Sequence, residues 1–238
     1  MFRSGTLTSA ASGGQTMTVS GAMAKAAFLL VLALVSAGLT WNAVASNPAL
    51  GMPLLLVGVI GGLVLSLATA FKREWSPVTA PMYALVEGLF LGVVSLRYGS
   101  QFDGIVFQAV VLTVAVAVAM LALYTLGVIR PTERFRAIVF SATLGVALFY
   151  LVAMVLQLGF KIEVPLIHSS GMLGIGFSLF VVALAGFNLI IDFGDFEAGE
   201  QAGAPRYMEW YCGFALLVTL VWLYIEILRL LSKLRSSD

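Results

Sequence analysis

Cysteine and histidine are nearly absent from this sequence: Cys212 and His168 are the only ones in 238 residues. One cysteine excludes an intrachain disulfide and leaves the redox compartment unread, so Cys212 reads as a small buried residue. His168 stands in a loop beside Ser169 and Ser170. That is no basis for a Ser–His hydrolase inside a membrane, and it reads as an ordinary loop residue. Charge is scarce as well, at 11% of residues with a net charge of +1. No dense basic tract tracks a phosphate backbone, so nucleic acid is not an expected partner. The zinc-protease HExxH, the P-loop, the dinucleotide fingerprint and EF-hand spacing are all missing, so neither an enzyme nor a cofactor is expected.

What the chain has instead is apolar length. Hydrophobic residues make up 61% of it and the mean hydropathy is +1.03, far above the roughly 45–50% apolar share of soluble domains. A helical span needs about 20 apolar residues, and helices are favoured because lipid offers no partner to free backbone groups. Seven runs qualify: Ala26–Ala45, Gly51–Phe71, Pro81–Leu96, Ile105–Ile129, Ala137–Phe160, Gly171–Asp192 and Tyr211–Leu231. The expected organisation is a mobile polar tail over residues 1–25, an all-α seven-helix membrane domain over 26–232, and a short polar tail over 233–238. The lipid bilayer is the first partner.

The connections alternate in charge, which orients the chain. With the N-terminus in the cytoplasm, Arg3, Lys25, Lys72, Arg73, Arg130, Arg134, Arg136 and Arg206 fall inside, whereas Arg97, Lys161, Arg229, Lys233 and Arg235 fall outside. The last three oppose the positive-inside rule. A re-entrant final helix would return them to the cytoplasm, whereas its apolar length favours a full crossing. A retinal photoreceptor is not expected, since its Schiff base needs a lysine within a span and Lys25, Lys72, Lys161 and Lys233 all sit at the ends of the expected spans.

Carboxylates are the remaining source of chemistry. Glu87 lies near the middle of the third span, where a charge costs at least about 2.5–3.5 kcal/mol and must be protonated, paired or wetted. It either holds the bundle together as a neutral hydrogen-bonding group or carries a proton or ion. Gly88 and Gly92 beside it form a small-xxx-small pair that admits a close neighbour. Asp192 closes the sixth span with Asn188 one turn before it, and Ser178 and Ala185 extend that face. It marks the water interface or heads a polar path. Asp195, Glu197 and Glu200 continue the acidity as a solvated loop or a cation-attracting vestibule, with weak calcium binding at Asp192 and Asp195 the furthest reading toward a metal. On the last helix Glu226 shares a face with Thr219 and lies within reach of Arg229.

These segments carry a resemblance. "NLIIDF", a polar turn and "APRYMEWYCGFALLVTLVWLYIEILRLLSKL", together with "MTVSGAMAKAAFLL" and "APMYALVEGLFLGVVS", resemble the Bax inhibitor family in a bacterial branch, over nearly the whole chain. The resemblance implies a last helix surrounded by the other six and a pH-sensitive calcium leak, here in a bacterial inner membrane. It implies a sensor in which an aspartate ending the sixth helix pairs with an aspartate on the last. Asp192 matches the first, but Thr219 stands at the second. Glu226 lies two turns further along, about 10.5 Å at the helical rise, so Glu209 or Asp195 is the alternative partner. The family's latching arginine on the second helix has no counterpart in "GMPLLLVGVIGGLVLSLATAF", and Arg73 at its end is the nearest candidate. Asn188, Thr219, Arg73 and Arg206 are therefore the expected supporting residues. Two other readings stay open: a proton-coupled secondary transporter cycling on Glu87, and a membrane regulator of a protease or cell-death partner.

Overall fold

The computed structural model describes residues 16–160 and 171–236, so His168 and Lys161 lie outside the described residues, as do residues 1–15 of the polar stretch. Seven helices among the described residues are long and apolar enough to cross a membrane. They are α1 (Val19–Ser46), α2 (Gly51–Phe71), α3 (Ser76–Gln101), α4 (Ile105–Thr125), α5 (Glu133–Phe160), α6 (Met172–Gln201) and α7 (Met208–Ser236).

Boundaries follow local chemistry. Thr18 is extended, and its Oγ1 accepts from the Gly21 N–H at 2.9 Å, which starts α1 seven residues before the apolar run at Ala26. The polar tail expected over 1–25 therefore gives way by Thr16. Asn47 ends α1 and caps the single turn Pro48–Leu50, its Oδ1 accepting from Ala49 N–H. A second single turn, Arg73–Trp75, joins α2 to α3. Gly104 and Gly203 take positive φ of 71° and 61° at the α3–α4 and α6–α7 corners, where a Cβ would be strained. At the C-terminus α7 runs on through Lys233 to Ser236, so the helix absorbs most of the polar tail expected from 233.

Connections this short make consecutive helices antiparallel, and hydrogen bonds identify the two ends of the bundle. At one end the Met17 N–H donates to Ala204 O at 2.8 Å and Ser76 Oγ donates to Tyr207 O at 2.9 Å, gathering the start of α1, the α2–α3 corner and the α6–α7 corner. At the other end Arg235 donates to Asp103 O at 2.6 Å and to Gln108 Oε1 at 2.9 Å, joining the tip of α7 to the α3–α4 corner. The final helix is unbroken over 29 residues, about 43 Å at the helical rise. It runs from one end of the bundle to the other and does not turn back.

Packing relies on small residues, as expected where lipid and side chains are equally apolar. A Cβ on Gly88 would come within 2.6 Å of Ala33 O, and one on Gly92 within 2.5 Å of Ala37 O, so α3 lies directly against α1. Ser36 Oγ reinforces that contact by donating to Leu85 O at 2.6 Å. On α7, Leu216 and Leu223 join one buried cluster with Ala185 and Leu189 of α6, and Leu217 and Val221 join another with Leu29 of α1 and Tyr83 of α3. α7 thus packs against α1, α3, α4 and α6, while α2 packs on α3 and α5 on α6.

Candidate ion site at the end of the sixth helix

Asp192 lies in the last third of α6, between the buried side chains of Leu189 and Phe193. Its Oδ2 is out of contact with solvent and has no hydrogen-bond partner among the described residues. A buried acceptor left unmet costs about 1–3 kcal/mol, more when charged, so a proton or cation would gain by meeting this oxygen. The polar group facing the carboxylate from α7 is the Thr219 hydroxyl, its neighbour across the α6–α7 contact. Thr219 has one proton to give, and it already donates to Ala215 O at 3.2 Å. One turn before the aspartate, Asn188 Nδ2 donates to Thr143 Oγ1 of α5 and to Leu184 O, both at 2.9 Å, so α5, α6 and α7 meet at this level.

The other acids of the stretch have structural partners. Asp195 forms an ion pair with Arg136 of α5, whose Nε also donates to Pro131 O at 3.2 Å. Gly194 makes the approach possible, since a Cβ there would come within 2.5 Å of the Pro131 ring. Glu197 is the hydrogen-bonding neighbour of Tyr124 on α4. Glu200 accepts from the Val19 N–H at 3.1 Å, and Glu209 accepts from both the Thr18 N–H at 3.1 Å and the Thr18 hydroxyl at 3.2 Å. Those two carboxylates sit on the N-terminus of α1, where unpaired N–H groups and the helix dipole favour negative charge. Glu209 is therefore committed to α1 and does not face Asp192. Arg73 lies over the Tyr211 ring, 5.0 Å from its centroid. Arg206 lies in the α6–α7 corner, its carbonyl accepting from Glu209 N–H at 3.1 Å. From α5, Arg136 of "RPTERFR" reaches the acidic end of α6.

Glu226 belongs to a separate cluster toward the other end. It is buried, at 1% exposure, and its Oε1 accepts from Tyr150 OH at 3.0 Å and from Arg229 at 2.7 Å. Arg229 also donates to Tyr150 OH at 2.6 Å, while Glu226 Oε2 is buried with no hydrogen-bond partner among the described residues. Near it, buried Lys233 donates to Gly174 O and Ser178 Oγ, each at 2.9 Å. The small polar face from Ser178 through Ala185 to Asn188 is consequently packed against neighbouring helices. Glu87 occupies a third location, between α3 and α2. A Cβ on Gly62 would come 2.9 Å from its Oε2, and Tyr83 is its hydrogen-bonding neighbour.

The fold thus distributes the expected acids over three places and brings Asp192 together with Thr219 and Asn188. Tyr150, Lys233, Thr18 and Arg136 are the engaged residues that sequence reasoning passed over. Only Arg136 carried a signal, as a basic connection expected at the same membrane face as an acidic run. Among the described residues no group of three or more His, Cys, Asp or Glu side chains is placed to hold a metal ion.

A family model described as Bax inhibitor 1 like matches residues 1–236. No curated relative and no solved structure matches the chain.

Proposed function

Since the chain belongs to the Bax inhibitor 1 like family, we propose that it is a passive, calcium-permeable leak whose conductance is set by the protonation of Asp192. The observation that carries this reading is the buried Oδ2 of Asp192 with no hydrogen-bond partner among the described residues, at a junction of α5, α6 and α7. Ionised, the carboxylate offers that oxygen to a cation passing between α6 and α7. Protonated, it becomes a hydrogen-bond donor and loses its pull on the ion, and the packing of α6 on α7 readjusts. The groups that bear on it are Thr219 and Cys212 on α7, Asp195 on its own helix, and Arg136 beyond Asp195 on α5.

In this reading the switch contains one carboxylate and one hydroxyl, with α7 as the helix around which the others move. Asp192 lies toward the cytoplasmic end of a bacterial inner-membrane protein. Lys25, Lys72, Arg73, Arg130, Arg134, Arg136 and Arg206 support that orientation, since they share one end of the alternating bundle. Of the basic residues at the opposite end, Arg229, Lys233 and Arg235 are engaged by protein groups.

The test is calcium uptake into liposomes containing the purified, folded protein, measured across the pH range in which proteins operate. A flux that responds to pH in the wild type, and no longer does so in Asp192→Asn, is the expected result. No flux at any pH would remove the leak reading.

A further inference from the structure

α1 and α4 each pack against α7, and between them lies a cavity of about 470 Å³. Its floor is formed by α3 and α7, through Ser95 and Tyr224 among others, and its rims by Leu34 and Gly38 on α1 and by Val110 and Val114 on α4. Interiors are normally packed to leave few voids larger than a water molecule, and this space falls in the size range of ligand pockets.

The lining defines what fits. It contains no charged side chain, and its hydroxyls are engaged with the protein. Ser95 Oγ and Tyr224 OH bond to each other at 2.7 Å, and Thr113 Oγ1 donates to Ala109 O at 2.7 Å. Ordered water needs two to four polar partners, and the groups this lining leaves, the second O–H proton of the Ser95–Tyr224 pair and the indole of Trp41, are few against its aliphatic surface. The rims are open, since Leu34 and Val114 are 52% and 55% exposed on the outer face of the bundle. In a bilayer that face meets acyl chains. The cavity also lies off centre. It is lined by Leu30 to Trp41 of α1, Leu91 to Ser95 of α3 and Val106 to Val118 of α4, which centres it nearer the α3–α4 corner than the α6–α7 corner.

We propose that this cavity is a lateral binding site for one acyl chain of a bilayer phospholipid, drawn from the leaflet at the α3–α4 end, with the headgroup remaining at the membrane surface. The chain enters between Leu34 and Val114 and lies along Leu220 and Tyr224 of α7. It thereby touches the helix that also carries Thr219 and Glu226. The inference is independent of calcium permeation.

The test uses the full-length protein in phosphatidylcholine nanodiscs containing a phosphatidylcholine with a diazirine on one acyl chain, with crosslinked peptides identified by mass spectrometry. Label on the Leu220–Tyr224 segment is expected, because lipid reaches that floor through the cavity. A Cβ on Gly38 meets nothing within 4 Å, so Gly38→Phe grows into the space and should lose most of the α7 label while label on α2 is unchanged. Val114→Phe, acting from the opposite rim, gives the same reading if the first variant folds poorly. Absence of α7 label, or α7 label that survives both substitutions in folded protein, overturns the proposal. So does labelling of α7 by a free diazirine fatty acid but not by the phospholipid, which would make the occupant a fatty acid.

Discussion

Thr219 on α7 sets its hydroxyl against the carboxylate of Asp192 on α6. A hydroxyl therefore stands where the resemblance leads one to expect a second acid, and the proposed switch should titrate as a single group. Thr219→Asp supplies the missing carboxylate. Two acids held close take up their protons in two coupled steps, so the flux–pH curve of this variant should broaden or split. Asp192→Asn combined with Thr219→Asp should return it to one step. Liposome calcium flux at closely spaced pH values checks both.

The cap on α1 gives a stability prediction. Thr18→Ala removes the acceptor for Gly21 N–H and the hydroxyl bonded to Glu209, and loss of such a cap costs about 1 kcal/mol. Thermal unfolding in detergent should show the loss. Glu209→Gln, which keeps an acceptor oxygen for Thr18, should cost less than Glu209→Ala.

Glu226 and Arg229 should respond asymmetrically to substitution. Removing the arginine leaves a buried carboxylate without its charge partner, a loss of roughly 3–5 kcal/mol for buried pairs. Arg229→Ala should therefore lower stability more than the double variant Arg229→Ala with Glu226→Gln. Denaturation of the three proteins measures the difference. By contrast, Arg136 and Asp195 are partly exposed, and a double-mutant cycle there should return about 0.2–1 kcal/mol.

Close helix contact predicts which glycines tolerate substitution. Gly88→Val drives a branched side chain into the Ala33 carbonyl and Ser36 of α1, so the yield of monodisperse protein should fall sharply. Gly38→Ala, which adds its methyl to open space, should express as the wild type does.

The seven helices were legible because an apolar run of spanning length has few alternatives in lipid. Helix ends were less so: α1 starts at Val19 because Thr18 caps it, and α3 starts at Ser76, which is held to Tyr207, a residue 131 positions away. Long-range partners of this kind leave no local periodicity to read. At the site, the helical spacing of Asn188 and Asp192 and the register of Thr219 on α7 were visible in advance. The allocation of the acids was not. Asp195, Glu200 and Glu209 look equivalent in composition, and only the tertiary positions of Arg136 and the α1 terminus separate them.

The bond from Thr18 to Glu209 spans 191 residues, and this bears on biogenesis. α1 leaves the ribosome well before α7, yet the N-terminus of α1 has its carboxylate partner on that later helix. Until those partners are made, water must satisfy the N–H groups of Val19 and Thr18, whose acceptors are Glu200 of α6 and Glu209 of α7. Insertion of α7 then closes the α1 terminus, so a chain truncated before Glu209 would hold most of its spans yet leave its first helix unfinished.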